Sequence, residues 1–100
     1  DFPMAPATPL WNAWVACSRE NAVGKIAGAE EALTVMDALR AITIDAAHVI
    51  GMADEVGSIR AGKLADFTVI DRDPQTEGPA ALRDANILAT VFQGEVFEVA

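Results

Sequence analysis

For chemistry, this chain of 100 residues offers one histidine, one cysteine and 15 carboxylate side chains. His48 stands in the run Ala46-Ala47-His48-Val49, mid-helix by pattern, where an imidazole is more often packed or hydrogen-bonded than a metal ligand. No second histidine exists to complete a zinc triad, so these residues do not make a self-contained zinc site. Cys17 falls on an apolar helical face with no base beside it, and an inert thiol is expected there. A lone cysteine also forms neither an internal disulfide nor a cysteine-only metal site. Asp66, inside a strand-like run, is expected to accept hydrogen bonds from turn amides near Gly62. Asp71 and Asp73 flank Arg72 in a solvated turn, and Glu30-Glu31 reads as a solvated face. Trp11 and Trp14, three residues apart, suit a core better than a ligand platform. Gly57 and Gly62 frame a strand instead of opening a helix, so no phosphate-binding loop is present. Taken alone, these residues make a scaffold.

The elements that must position them run from helices to strands. Thr8 is a candidate N-cap, and Pro9 suits the first helical position, where a missing N–H costs nothing. The helix predicted over 9–19 places Leu10, Trp14 and Cys17 on one side and Trp11, Val15 and Ser18 on the next. So wide an apolar arc needs covering on more than one side. Residues 20–33 read as a looser connection with a helical turn near 29–33. Thr34, with Asp37 three residues on, opens a helix over 35–42 that turns Val35, Leu39 and Ile42 inward. Thr43 and Asp45 read as a second cap before 44–50, closed by Gly51, so that either one kinked helix or two short ones fit.

After Val56 the period changes to two. The run 57–74, GSIRAGKLADFTVIDRDP, reads as a short strand at Ser58-Ile59, a turn over 60–63 and a longer strand over 64–71. That longer strand is apolar on both faces, so cover on both sides is expected. A short helical turn is expected near 79–83. Beyond it, ILATVF and EVFEV flank Gln93-Gly94, a good two-residue hairpin signal. The fold class is α+β: helices first, then four antiparallel strands, with a division into residues 1–55 and 56–100.

One hundred residues suffice for one modest domain. A 52% hydrophobic share is high for a free-standing chain of this size, which points to a missing partner surface. The net charge of −8 leaves no basic stripe for a phosphate backbone, so no nucleic-acid partner is expected. The apolar runs are too short and interrupted to span a bilayer, so no membrane partner is expected either, and there is no signal-peptide pattern. The single cysteine permits a reducing compartment, and a cytoplasmic location is the expectation. A chain that opens at Asp1 without an initiator methionine is expected to be part of a longer one.

Four stretches carry a family likeness. They are Asp1-Phe2-Pro3 leading to Pro9-Leu10-Trp11; Ala38-Leu39-Arg40-Ala41-Ile42-Thr43-Ile44-Asp45-Ala46-Ala47; Gly57-Ser58-Ile59 through Gly62-Lys63-Leu64-Ala65-Asp66; and Ala89-Thr90-Val91-Phe92-Gln93-Gly94-Glu95-Val96. In this order they resemble the C-terminal end of metal-dependent amidohydrolases, the amidohydrolase-3 group that includes N-substituted formamide deformylase-like enzymes. The resemblance implies a (β/α)8 barrel joined to a composite β-sandwich. Helix 9–19 would then be the last barrel helix, and the strands after residue 56 the C-terminal share of the sandwich. It also implies that Asp1 matches the carboxylate at the end of the eighth barrel strand, beside the metal, acting as general base on the attacking water.

The Gly and Ser that precede that aspartate in the family are not present, and His48 matches no ligand position. The implied function is hydrolysis of carbon–nitrogen bonds, other than peptide bonds, of a small-molecule amide or related group. The implied metal is divalent, zinc by preference, and the implied partner is an N-terminal barrel of the same protein. The 100 residues alone are expected to be inactive. The alternative is a stand-alone, non-catalytic α+β interaction module that covers helix 9–19 by forming a homo-oligomer.

Overall fold

A computed structural model describes residues 7–99. Helix α1 spans Pro9–Ser18, with proline in its first turn. It closes on Arg19, which sits at φ 58° and returns its N–H to Val15. That left-handed position is held by the Arg19 side chain, whose Nε donates to the Ala27 carbonyl at 3.1 Å. Residues 20–27 fold back on themselves, with the Asn21 carboxamide oxygen accepting from the N–H groups of Val23 and Lys25. A 3-10 turn comes next, at Ala29–Glu31.

Helix α2 spans Val35–Ala41 and α3 spans Ile44–Val49. They are two short helices. Thr34 caps α2 as its sequence predicts, its Oγ1 accepting from the Asp37 N–H at 3.1 Å. Thr43 does not cap α3: its hydroxyl donates back to the Leu39 carbonyl at 2.6 Å, satisfying the end of α2 instead. At the far end of α3 the Gly51 N–H reaches His48 O and the Met52 N–H reaches Ala47 O. That pair of bonds is the expected glycine-type closure.

Strand β1 is Phe67–Ile70, β2 is Ile87–Phe92 and β3 is Glu95–Glu98. Between β1 and β2 lie two single-turn helices, α4 (Pro74–Glu77) and α5 (Ala80–Asp84). The antiparallel sheet has the order β1-β2-β3. Thr68 faces Thr90, and Thr90 faces Phe97 on its other side. The β1–β2 register slips between Val69 and Ile70, because Ala89 pairs with Val69 and Ile87 with Ile70. The extra residue, Leu88, bulges from the ladder. The β2–β3 loop is Gln93-Gly94 as expected, both at positive φ (49° and 83°), the signature of a tight hairpin turn.

The sequence reading asks for four strands, and the described residues contain three. The turn over 60–63 does form, with Lys63 N–H donating to Arg60 O at 3.1 Å. Ser58-Ile59, however, makes no ladder with residues 64–71. The segment leading into β1 bonds further back, through Leu64 N–H to Glu55 O at 2.9 Å, and the Lys63 side chain takes the place of a backbone ladder.

The packed core is helical. Ala13, Trp14, Ala38 and Leu82 are its buried members, with Leu10, Cys17, Leu39 and Ile42 against them. The expected α1 face (Leu10, Trp14, Cys17) therefore points inward, but the innermost residue of α2 is Ala38, at 0% exposure, because only a methyl group lets α1 approach so closely. Leu82 of α5 completes this core from far along the chain. The sheet is different. Only Ala89 is buried in it, and Val69, Phe92, Val96 and Phe97 are all exposed. The cover expected on both faces of β1 is not supplied by the described residues.

Candidate functional site

Between the helical core and the sheet lies a concave, mostly apolar groove of about 920 Å³. The start of α1 supplies one wall with Leu10 and Trp11, α3 supplies Ala47 and Ile50, and residues 56–59 supply a lip that ends in Ile59. The sheet closes the far side with Phe67 and Phe92. Trp11 reaches the groove because Trp14 takes the interior place, the two rings lying 4.9 Å apart and tilted by 55°. The expectation that both belong to the core holds for Trp14, which is 7% exposed, and fails for Trp11, which is 42% exposed.

The Arg83 guanidinium lies 5.3 Å from the centre of the Trp14 ring, within cation–π reach. Its Nε and Nη2 donate to the two oxygens of Asp84 at 2.7 and 3.0 Å. That pair holds the Asp84 carboxyl below its ordinary value and raises Arg83 in turn. The arginine is thereby committed to a neighbour.

The carboxylates singled out by sequence have structural duties. Asp66 does not reach the turn near Gly62. Its Oδ1 accepts from the Gln93 N–H at 2.8 Å, while Ala65 O accepts from the Gly94 N–H at 3.0 Å. The hairpin tip is thus docked onto the start of β1. Asp71 accepts from both the backbone and the side chain of Asn86, at 2.7 and 2.9 Å, bonds that lower its carboxyl. Asp73 caps α4, accepting from Gln75 N–H and from Thr76, whose hydroxyl bond at 2.7 Å is the chief cause of its lowered carboxyl. The turn is solvated, as its sequence reads, and hydrogen-bonded as well. Asp-Pro followed by Glu77, whose carboxylate accepts from the Asp73 N–H, was the available signal for that cap.

His48 is exposed, beside a small concavity lined by Gly51, Ala53 and Asp54, and is not packed as expected. Cys17 is half-buried, and burial pushes its thiol up, in keeping with an inert sulfur. Among the described residues no group of three His, Cys, Asp or Glu side chains is gathered to hold a metal ion. No helix among them is long and apolar enough to cross a membrane. Asp1, the residue expected to act as base and to lie by a metal, is outside the described residues. What is described can shape and cover a surface.

The sequence profile of the amidohydrolase family matches residues 1–97. The chain belongs to the amidohydrolase family. The N-substituted formamide deformylase of Arthrobacter pascens is 39% identical over 94 residues, covering 94% of this chain and 17% of that enzyme. The S-triazine hydrolase of Gordonia rubripertincta is 42% identical over 57 residues, covering 57% of this chain and 12% of that protein. Among solved structures, a Xaa-Pro dipeptidase with methionine in its active site superposes with a TM-score of 0.59 at 26% identity, over 70% of this chain and 16% of its own. This amidohydrolase chain thus spans less than a fifth of the length of each of these relatives.

Proposed function

We propose that these residues are the C-terminal part of an amidohydrolase that hydrolyses carbon–nitrogen bonds, other than peptide bonds, in amides or related small molecules. The observation that carries this reading is the 39% identity to a formamide deformylase over 94% of the chain. The groove supports it independently, since an exposed apolar surface of this kind calls for a covering domain. In this reading α1 is the last helix of a (β/α)8 barrel, residues 1–55 end that barrel, and residues 56–100 belong to a β-sandwich shared with the other end of the chain. Asp1 takes a proton from the attacking water and delivers it to the leaving nitrogen. A divalent metal, zinc by preference, belongs to the same reading. The described residues do not fit it, so its ligands would come from the barrel.

The test compares residues 1–100 with the complete gene product on an N-substituted formamide and a cyclic amide, each with added zinc. The complete product should turn over and residues 1–100 should not. Asp1→Asn in the complete product should lower kcat by about a thousandfold. Turnover by the isolated residues, or full activity of the Asp1 variant, would overturn the assignment.

A further inference from the structure

Residues 56–59 form the lip of the groove, yet neither Ser58 nor Ile59 gives or takes a backbone–backbone hydrogen bond among the described residues. Ile59 is 86% exposed, so packing does not hold it either. The lip is fixed from beneath. The Lys63 ammonium donates to the carbonyls of Ala53 and Val56 and to the Ser58 hydroxyl, the last at 2.8 Å. An ammonium has three donors and no acceptor, so these three oxygens use its whole capacity. On the opposite side, Gly57 is seated directly on α3: a methyl group there would lie 2.7 Å from the Ala47 methyl and 3.0 Å from the Ile44 Cα. The lip is thus pressed onto a helix by a residue without a side chain and tied by one cation.

We propose that Lys63 is a charged pin that sets the wall of the groove, so that the surface offered at Val56–Ile59 depends on a free ammonium at Nζ. Backbone carbonyls and a hydroxyl cannot substitute for it. Once the ammonium is lost, the single Ser58 hydroxyl proton is the one donor left among the three oxygens, too few to tie both carbonyls. A neutral group at Nζ therefore frees the lip while leaving the sheet, whose ladder and hairpin tip are bonded separately, unchanged. The pin is independent of the reaction assigned above, since it concerns the shape of the groove and none of its occupants.

Hydrogen exchange on the complete gene product tests this. In Lys63→Met, which keeps the stem and removes the donors, the amides of Val56 and Leu64 should exchange about tenfold faster, with Thr90 and Val91 unchanged. Ser58→Ala removes one acceptor at an exposed position and should raise the same two rates about threefold. Unchanged protection at Val56 and Leu64 in either variant would overturn the pin. So would an acceleration spread evenly over the lip and the sheet, which would mark Lys63 as a general contributor to stability. Should Lys63→Met fail to fold, the Ser58→Ala rates decide alone.

Discussion

Asp66 shows how a carboxylate inside a strand-forming run acts as a clamp. Gln93 adopts a positive φ without being glycine, a conformation that costs energy, and Asp66 holds that residue's N–H. Asp66→Ala should lower stability by about 1 kcal/mol, read by urea unfolding, with no change in kcat of the complete gene product. A fall in kcat at unchanged stability would instead give Asp66 a place in the chemistry. Asp71, Asp73 and Asp84 add a pH dependence of known sign. Each is lowered in the folded chain from an ordinary 3.8, so its contribution is complete above that value and disappears as pH falls through the folded one. Stability should therefore decline as pH falls below the ordinary 3.8, and Asp71→Asn should flatten part of that decline. An unchanged acid limb in the variant would mean that the Asn86 bonds to Asp71 persist on protonation.

At the scale of elements, α2 and the lip give the sharpest expectations. Thr34→Ala removes the side-chain cap of α2 and should cost about 1 kcal/mol in chemical denaturation. Thr43→Ala should cost less than the capping pattern implies, since its hydroxyl serves the preceding helix. Gly57→Ala places a methyl group 2.7 Å from Ala47 at a φ of +92° and should cost about 2 kcal/mol or more. A neutral outcome there would mean that the lip does not sit on α3. Leu82→Ala should cost about 3 kcal/mol, because Leu82 is 1% exposed and belongs to the core that α5 builds against α1.

For the whole molecule, the question is what covers the groove and the sheet. Phe92, Val96, Phe97 and Val99 are exposed together on the last hairpin, and both edges of the three-stranded sheet are unpaired among the described residues. Exposed apolar edges of this kind pair with other chains. Purified residues 1–100 should accordingly self-associate at micromolar concentration, and the complete gene product should not show this behaviour, as read by light scattering. A compact, non-associating monomer of residues 1–100 would mean that the groove and the sheet need no cover.

The sequence by itself determined the helix-to-strand order, the Thr34 cap, the Gly51 closure, the Gln93-Gly94 hairpin and the family. Each of these rests on interactions within a few residues or on a pattern that survives in order along the chain. Tertiary structure decided what lies far apart in sequence. It placed Leu82 beside Trp14, sent Asp66 to the amide of Gln93 instead of a nearby turn, and put the Lys63 ammonium where a strand ladder was expected. Side chains spanning such separations are chosen by which donors and acceptors the packed backbone brings within about 3 Å, and spacing along a sequence does not carry that information. Asp1, the residue on which the chemistry is proposed to turn, lies outside the described residues and belongs to the family likeness alone.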